Sequence, residues 1–241
     1  MMPVGLPARM DRMTLQPEHE EAYRAWWGSL RTLTLDADAL QQWQDRRFAF
    51  AAHIGDLLTD PYDSHGRVSG PVLYGIYLNS DGPAYVGQSK EGERRLRDLP
   101  IGESHHLANT IPPEIWQRVV VISWPSLLDG LPVEERERIK GLGSEVCGLA
   151  LEHLLQLELC PPLNSRRRHR DGHWRPRRLE SSRSKGAQQA GSLLALYERV
   201  RECWSTLATA DVPTCDALIE PVVLSEYGRA VFPVASLSSV R

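Results

Sequence analysis

The spacing of apolar residues predicts two helices in the first quarter of the chain. The first begins at Pro17, with acidic residues in its opening turn, as expected at a helix N-terminus. Its apolar residues recur three or four positions apart, at Tyr23, Trp26, Trp27 and Leu30. The second runs from about residue 37 to residue 58, with the buried candidates Leu40, Trp43, Phe48, Phe50, Ile54 and Leu57. We expect a core here, because aromatic residues at helical spacing are more often buried than used as a base-stacking platform.

Two β-favouring segments predict a hairpin further along the chain. Residues 72–78 and 84–86 flank the turn-forming run Asn-Ser-Asp-Gly-Pro at 79–83. Short turns of this composition join antiparallel strands, so the sequence predicts two paired strands at this point.

A turn centred on Asp81 would give this hairpin an unusual face. It sets Tyr77 opposite Tyr85 and Gly75 opposite Gly87, all on one face because side chains alternate along a strand. Glycine inside a strand often marks close approach by a ligand or another backbone. The sequence therefore predicts two phenols beside a patch without side chains. This arrangement is either a functional site or a tyrosine pair on an ordinary hairpin.

The remaining pattern predicts alternating helices and strands. The turn-rich residues 60–71 precede the hairpin. After it we expect a short helix at 91–99 ended by Pro100, a strand at 118–124, an exposed helix at 132–140, an apolar helix at 144–159 capped by Ser144, an amphipathic helix at 186–207 and a mildly β-like tail.

Five elements of this sequence resemble the GIY-YIG nuclease superfamily. Gly75-Ile76-Tyr77 and Tyr85-Val86-Gly87 match its two signature triplets, and Arg95 matches its helix-borne arginine. Glu152, within an apolar helix, is similar to the family's metal-binding glutamate, and Asn164 to its terminal asparagine. Each match alone is weak, but their order and spacing together are specific.

The resemblance covers roughly residues 71–166 and has two departures. The hairpin is tighter than is common in the family, and Leu99 stands where a His or Tyr often follows the arginine by one helical turn. It implies an α/β fold, with a small core whose short, mainly antiparallel sheet is flanked by helices, and with helical additions at both ends. We therefore expect an N-terminal helical region at 1–70, a nuclease core at 71–166, a basic DNA-contacting loop at 167–185, and a C-terminal helix and tail at 186–241.

The resemblance also implies an endodeoxyribonuclease that hydrolyses phosphodiester bonds with Mg²⁺ or Mn²⁺. Glu152 would bind the metal, since a carboxylate in an apolar neighbourhood is costly unless it is paired or metal-bound. Alternatively, Glu152 forms a narrow solvated polar stripe on the helix together with Glu145 and Gln156. Arg95 would stabilise the charge that develops on the phosphoryl group.

Proton transfer is assigned to the tyrosines. Tyr77 and Tyr85 would act as the general base and as the group that orients the water. Arg95 and the metal would lower the pKa values of the two phenols. Which of the two takes the proton stays open. His105 is the expected replacement for the missing helical His or Tyr, with His106 as its alternative, or both are ordinary loop residues. Asn164 would steady the site or a phosphate through its amide, unless it is only a turn residue.

Charge is concentrated in one segment of an otherwise acidic chain. The net charge is −3, yet residues 164–185 contain eight arginines and one lysine against Asp171 and Glu180. Such an asymmetry is typical of a protein that meets a polyanion at one place. The candidate DNA contacts are Lys90, Arg166, Arg167, Arg168, Arg170, Trp174 and Arg175. A solvated charge run, and a solvent-facing Lys90, are the alternatives.

Composition bears on the cellular compartment of the protein. No apolar run approaches the roughly 20 residues of a membrane span, and the start lacks the apolar stretch of a secretory signal. The four cysteines form no C-x-x-C pair, so we expect them to be reduced and structural. These observations favour a cytoplasmic protein without a membrane partner.

The biological role has three interpretations. A restriction or defence enzyme that cuts double-stranded DNA as a homodimer suits a nuclease core with short additions. A repair or recombination nuclease would instead cut branched or damaged duplexes. A catalytically silent DNA-binding protein is disfavoured, because all five motif residues are present.

Overall fold

The structure is a computed structural model that describes residues 17–102, 107–168, 174–176, 178–211, 214–215, 218–219 and 221–236. The helices are α1 (Pro17–Leu35), α2 (Ala37–Thr59), α3 (Gly92–Ile101), α4 (Leu107–Thr110), α5 (Val133–Leu142), α6 (Ser144–Leu159), α7 (Pro162–Ser165), α8 (Lys185–Gln189), α9 (Leu194–Ala208) and α10 (Pro233–Ser236). The strands are β1 (Val72–Tyr77), β2 (Pro83–Ser89), β3 (Arg118–Ile122), β4 (Arg166–Arg168), β5 (Trp174–Pro176), β6 (Thr214–Cys215), β7 (Leu218–Ile219), β8 (Val222–Ser225) and β9 (Gly228–Val231). Within the described ranges, no helix has the length and apolarity needed to cross a membrane.

The chain divides into two units between Arg47 and Phe48. The first unit contains α1 and the start of α2, where the Asp36 carboxylate accepts hydrogen bonds from the backbone N–H groups of Asp38 and Ala39 at 2.9 and 3.1 Å. This is an N-cap, which satisfies donors that the helix itself leaves unpaired.

The expected core in this region is only partly present. No residue of α1 is buried, so the prediction that Tyr23, Trp26 and Trp27 form a core is wrong. In the second unit Phe50 and Ile54 are buried as expected, but Phe48 is 58% exposed. Apolar spacing identifies a helix face without specifying what covers it.

A mixed α/β architecture with an antiparallel sheet is confirmed for the second unit. The five strands lie in the order β2-β1-β3-β9-β8, and every neighbouring pair is antiparallel. The tail strands β8 and β9 extend this sheet beyond β3. The core sheet therefore continues past the expected boundary at residue 166 and includes part of the C-terminal tail.

Alternation along the strands separates two apolar layers. Leu73, Val86 and Val120 face a layer that includes α6 and α9. Val72 and Tyr74 face the other layer, which includes α2 and α3. Helices therefore cover both faces of the sheet, as in other layered α/β folds.

The hairpin register differs from the predicted one by a single residue. Tyr74 pairs with Gly87 and Ile76 with Tyr85, and a shift between Ile76 and Tyr77 then pairs Tyr77 with Pro83. The expected pairing of Tyr77 with Tyr85 is therefore wrong. A bulge near the turn adds one residue to β2, and an offset of one residue moves every side chain to the opposite face.

Both glycines of the hairpin make room for aromatic rings of the chain itself. A Cβ on Gly87 would lie 2.6 Å from the Tyr74 hydroxyl oxygen, and a Cβ on Gly75 would lie 2.5 Å from Trp204 Cζ2. The expected cleared patch is therefore filled on both faces by protein side chains, and it is not a ligand surface.

Candidate functional site

A pair of tyrosines lies where the two strands of the hairpin meet α3. The ring centroids of Tyr74 and Tyr85 are 6.1 Å apart with planes tilted by 35°, and their side chains hydrogen-bond to each other. Tyr74 is 1% exposed, while Tyr85 is half-buried. The pair thus has one deep phenol and one accessible phenol.

Arg95 of α3 and Glu152 of α6 complete a four-residue group around the Tyr74 phenol. Burial raises the pKa of Tyr74 well above its usual range, and Tyr85 raises it further. Arg95 lowers the pKa of Tyr74 and Glu152 raises it, so both charged side chains are close enough to act on this phenol. Two strands and two helices therefore bring together Tyr74, Tyr85, Arg95 and Glu152.

Tyr77 belongs to the opposite face of the sheet. Trp204 donates its indole N–H to the Tyr77 hydroxyl at 2.8 Å, and the Arg118 guanidinium carbon is 5.8 Å from the Tyr77 ring centroid. Burial raises the pKa of Tyr77 to about 12, against the lowering effects of Trp204 and Arg118. The expectations that Tyr77 joins Arg95 and Glu152, and that its pKa is lowered, are both wrong.

A polar cavity of about 360 Å³ opens at the β2 edge of the sheet. Tyr85, Glu152 and Asn164 line it together with His153, Gln156, Leu149, Leu163, Leu179, Ser182 and Ser184. The wall from Leu179 to Ser184 depends on Gly186, since a Cβ there would lie 2.3 Å from the Leu149 carbonyl oxygen. Close contact between α8 and α6 therefore shapes this side of the cavity.

The Asn164 side chain holds α7 against β2. Its Oδ1 accepts from the Val86 N–H at 2.7 Å, and its Nδ2 donates to the Val86 carbonyl at 2.9 Å. Asn164 is only 6% exposed. These two bonds engage the backbone of the residue beside Tyr85, so Asn164 positions the cavity wall.

The donor set suits a magnesium ion that keeps most of its water. Among the described residues, no group of three or more His, Cys, Asp or Glu side chains could hold a metal, and the cavity lining includes one carboxylate, Glu152. Gln156, one helical turn away, donates to Glu152 Oε1 at 2.7 Å and orients it. Mg²⁺ often binds through one or two carboxylates plus water and substrate phosphates, so Glu152 fits this ion.

The structure adds three functional candidates to the predicted ones. Tyr74 lies where the predicted register places Tyr77. Gln156 appears in the sequence only as part of the polar stripe with Glu145 and Glu152. His153 lines the cavity, and burial lowers its pKa; its position next to Glu152 is the signal that could have identified it. His105 and His106, the expected histidines, lie outside the described residues, and Leu99 is fully buried.

The candidate DNA contacts lie in two places. Lys90 is exposed and lines a separate cavity at the start of α3, together with Arg94 and Arg97. Within the segment that was expected to be a basic loop, the structure describes two short strands that pair in antiparallel orientation and are here called the basic ribbon. They are β4, containing Arg166, Arg167 and Arg168, and β5, containing Trp174 and Arg175. Arg170 lies outside the described residues.

Comparisons of this chain with models of known protein families, with characterised proteins and with solved structures gave no match. The interpretation of the site therefore depends on its residues and their geometry.

We expect Asn164→Ala to destabilise the protein by about 1–3 kcal/mol, because it leaves a buried N–H and a buried carbonyl of Val86 without their partner. Chemical denaturation would measure the free energy of unfolding. Asn79→Ala is the matched control, since Asn79 is exposed and accepts one hydrogen bond from its own turn. Equal losses in the two variants would show that the Asn164 clamp adds nothing to stability.

Proposed function

We propose that the protein is a Mg²⁺-dependent endodeoxyribonuclease of GIY-YIG type that hydrolyses phosphodiester bonds at the cavity beside β2. The observation that carries this proposal is the convergence of Tyr74, Tyr85, Arg95 and Glu152 from four separate elements. In this proposal Tyr74 takes the position beside Tyr85, Arg95 and Glu152 that the sequence resemblance assigned to Tyr77, but not its role as a base.

Arg95 supplies a permanent positive charge beside the phenol pair. Its guanidinium can bind two phosphoryl oxygens at once, which positions the phosphate and stabilises charge in the transition state. Neighbouring Arg94 is exposed and pairs with Glu91 at 2.8 Å, so it suits a surface role.

Tyr74 acts as a neutral hydrogen-bond donor. Burial keeps its pKa well above the usual range, so the phenol is protonated at neutral pH and cannot itself take a proton from water. A buried phenol hydrogen-bonded to Tyr85 fixes the orientation of the outer phenol, which lines the cavity.

Water activation falls to the accessible groups of the cavity. Burial lowers the pKa of His153, so its imidazole is neutral at neutral pH and can accept the proton of an attacking water. The water oxygen bonds to phosphorus and the bond from phosphorus to the 3′-oxygen breaks. The leaving 3′-oxygen takes a proton from solvent water, and His153 returns its proton to the solvent. Tyr85 is the alternative group to accept the proton of the attacking water.

Glu152, oriented by Gln156, would hold the divalent cation together with phosphate oxygens and water. When bound, the cation would neutralise charge on the phosphoryl group.

The basic ribbon supports DNA as the substrate. It begins directly after α7, which Asn164 holds against β2, so the arginine-rich segment starts next to the cavity. A two-stranded ribbon is also narrow enough to enter the major groove of DNA. A restriction or defence role is part of the proposal.

The principal experiment compares charge-removing variants of the site with neighbours on the same helices. We expect Glu152→Gln and Arg95→Ala to lower the cleavage rate at least about 100-fold, since loss of one transition-state contact commonly has this effect, while DNA affinity changes little. Glu145→Gln on α6 and Arg94→Ala on α3 are the controls. Equal losses of binding and cleavage would identify Glu152 and Arg95 as general DNA contacts or structural residues.

The same assay should use unmodified, modified and branched DNA, with and without Mg²⁺. Discrete fragments from unmodified or modified duplex would support restriction, whereas cutting confined to branched DNA would support repair. Binding without cleavage of every substrate would support a silent DNA-binding protein.

Tyrosine variants test the register directly. We expect Tyr74→Phe to lower the cleavage rate strongly, because the phenol that orients Tyr85 is lost. Tyr77→Phe should keep most of the activity, because it removes only the hydrogen bond with Trp204 on the opposite face. The reverse order of effects would overturn the proposed site.

Neutralising the ribbon tests the DNA contact. Replacing Arg166, Arg167, Arg168 and Arg170 by Gln should weaken binding and flatten its salt dependence. Each lost phosphate contact lowers the slope of log K against log salt by about 0.9 on duplex DNA. Replacement of Arg136 and Arg138 on α5 by Gln is the control, and the two variants are compared by the change in slope per arginine replaced. An unchanged slope with intact cleavage would show that the DNA enters from another side.

A further inference from the structure

A cavity of about 350 Å³ opens at the start of α6, and none of its lining residues lines the polar cavity beside β2. Its wall contains the apolar side chains of Pro71, Trp124, Leu128, Ile139 and Cys147, and it is here called the Trp124 cavity. The Cys147 thiol donates to the Ile139 carbonyl at 3.4 Å, and burial raises the pKa of this thiol, so it is neutral at neutral pH. A concave apolar wall with a few polar groups is the usual form of a small-molecule site.

The indole N–H of Trp124 is a buried donor that the chain leaves without an acceptor. Trp124 is 3% exposed, and its Nε1 atom has no hydrogen-bond partner among the residues that the structure describes. A buried indole N–H usually finds a partner, as in Trp116, which donates to the Ile111 carbonyl at 2.7 Å. Because the Trp124 ring belongs to the cavity wall, a molecule bound in the cavity can supply the acceptor.

The first turn of α6 adds further donors at the same cavity. Gly143 and Ser144 line the cavity, and Gly143 is the N-cap, which has no side chain to accept a hydrogen bond from the turn. The Cys147 N–H donates to the Gly143 carbonyl at 3.1 Å, but within the described ranges nothing accepts from the backbone N–H groups of Ser144, Glu145 and Val146. Such groups at the positive end of a 16-residue helix favour an anion.

The charged side chains that line the Trp124 cavity already have partners. Lys140 pairs with Glu137 at 3.0 Å. Asp129, the one carboxylate among the described lining residues, pairs with Arg136 at 3.4 Å, and its side chain is 84% exposed. The N–H groups of Trp124 and of the first turn of α6 are donors only, so they require an acceptor. An anion therefore complements this cavity better than a cation does.

We infer that the Trp124 cavity binds a small apolar monocarboxylic acid. The hydrocarbon body of the acid covers the apolar wall, and its two carboxylate oxygens accept hydrogen bonds from the Trp124 indole and from the first turn of α6. A single negative charge matches the partial positive charge at the start of a helix. A nucleic acid is less suitable, because its sugar–phosphate backbone has no comparable apolar part to place against the wall.

Isothermal titration calorimetry of the full chain with 2-naphthoate and the smaller benzoate tests the site. We expect at least one of these acids to bind with a dissociation constant below about 1 mM. The matching uncharged amide should bind about tenfold more weakly, since hydrogen bonds to a charged group are stronger. Binding of neither acid, or equal affinity for acid and amide, would overturn the inference. The measurement uses no DNA, so its outcome is independent of the proposed nuclease activity.

Two replacements of Ser144 separate the effect of charge from that of shape. Ser144→Asp adds a carboxylate at the first helical position, where it complements the helix dipole and leaves the chain folded. This carboxylate repels that of the ligand, so we expect the acid to bind at least about fivefold more weakly. Ser144→Asn, which has the same shape without the charge, is the matched control. Equal affinities of the two variants would show that the first turn of α6 does not bind the carboxylate, and would overturn the inference.

The indole donor is tested through its own N–H signal. Addition of the acid should move the Trp124 indole resonance downfield in a proton–nitrogen NMR spectrum. Trp124→Phe, whose spectrum identifies that resonance, should weaken binding at least about fivefold through loss of a hydrogen bond to a charged group. Trp116→Phe is the matched control, since Trp116 is buried outside this cavity, and its affinity should be unchanged. An unmoved Trp124 resonance, or equal weakening in both variants, would overturn the proposed hydrogen bond.

Discussion

The register of the β1–β2 hairpin is the constraint on which the rest of the site depends. With Tyr74 opposite Gly87, the Tyr74 ring lies over a residue that has no side chain. Its hydroxyl hydrogen-bonds to Tyr85 and interacts electrostatically with Arg95 and Glu152. A shift of β2 by one residue would put Tyr85 on the same face as Tyr77 and not on the face of Tyr74, because side chains alternate along a strand. A bulge near the turn therefore determines whether Tyr74 or Tyr77 lies on the same face as Tyr85.

The two hairpin glycines make the same structural contribution on opposite faces. Gly87 accommodates Tyr74, and Gly75 accommodates Trp204, whose indole N–H binds the Tyr77 hydroxyl. Each glycine therefore allows a large ring to lie flat against the sheet, where a Cβ would prevent it. Because Trp204 belongs to α9, this helix is part of the core that supports the candidate site.

Sequence patterns predicted the regular elements well because their signals are local. The hairpin, the strand at 118–122, the helix containing Arg95 and the helix containing Glu152 all follow from periodicity and turn residues. The register was not predictable, because the added residue in β2 has no distinct sequence signal. The joining of the tail strands to β3 and the exposure of the α1 aromatics also escaped prediction, since both depend on long-range packing that one sequence does not reveal.

The location of the cavity follows from the layered fold. Helices cover both faces of the sheet, so a polar cavity that reaches the hairpin has to open at an edge. Unpaired backbone groups on an edge strand tend to pair with other chains, and Asn164 engages those of Val86 with its amide. The same two hydrogen bonds therefore protect the β2 edge and fix the cavity wall beside Tyr85. An asparagine is suited to this position because its side chain presents one acceptor and one donor in the geometry of a peptide group.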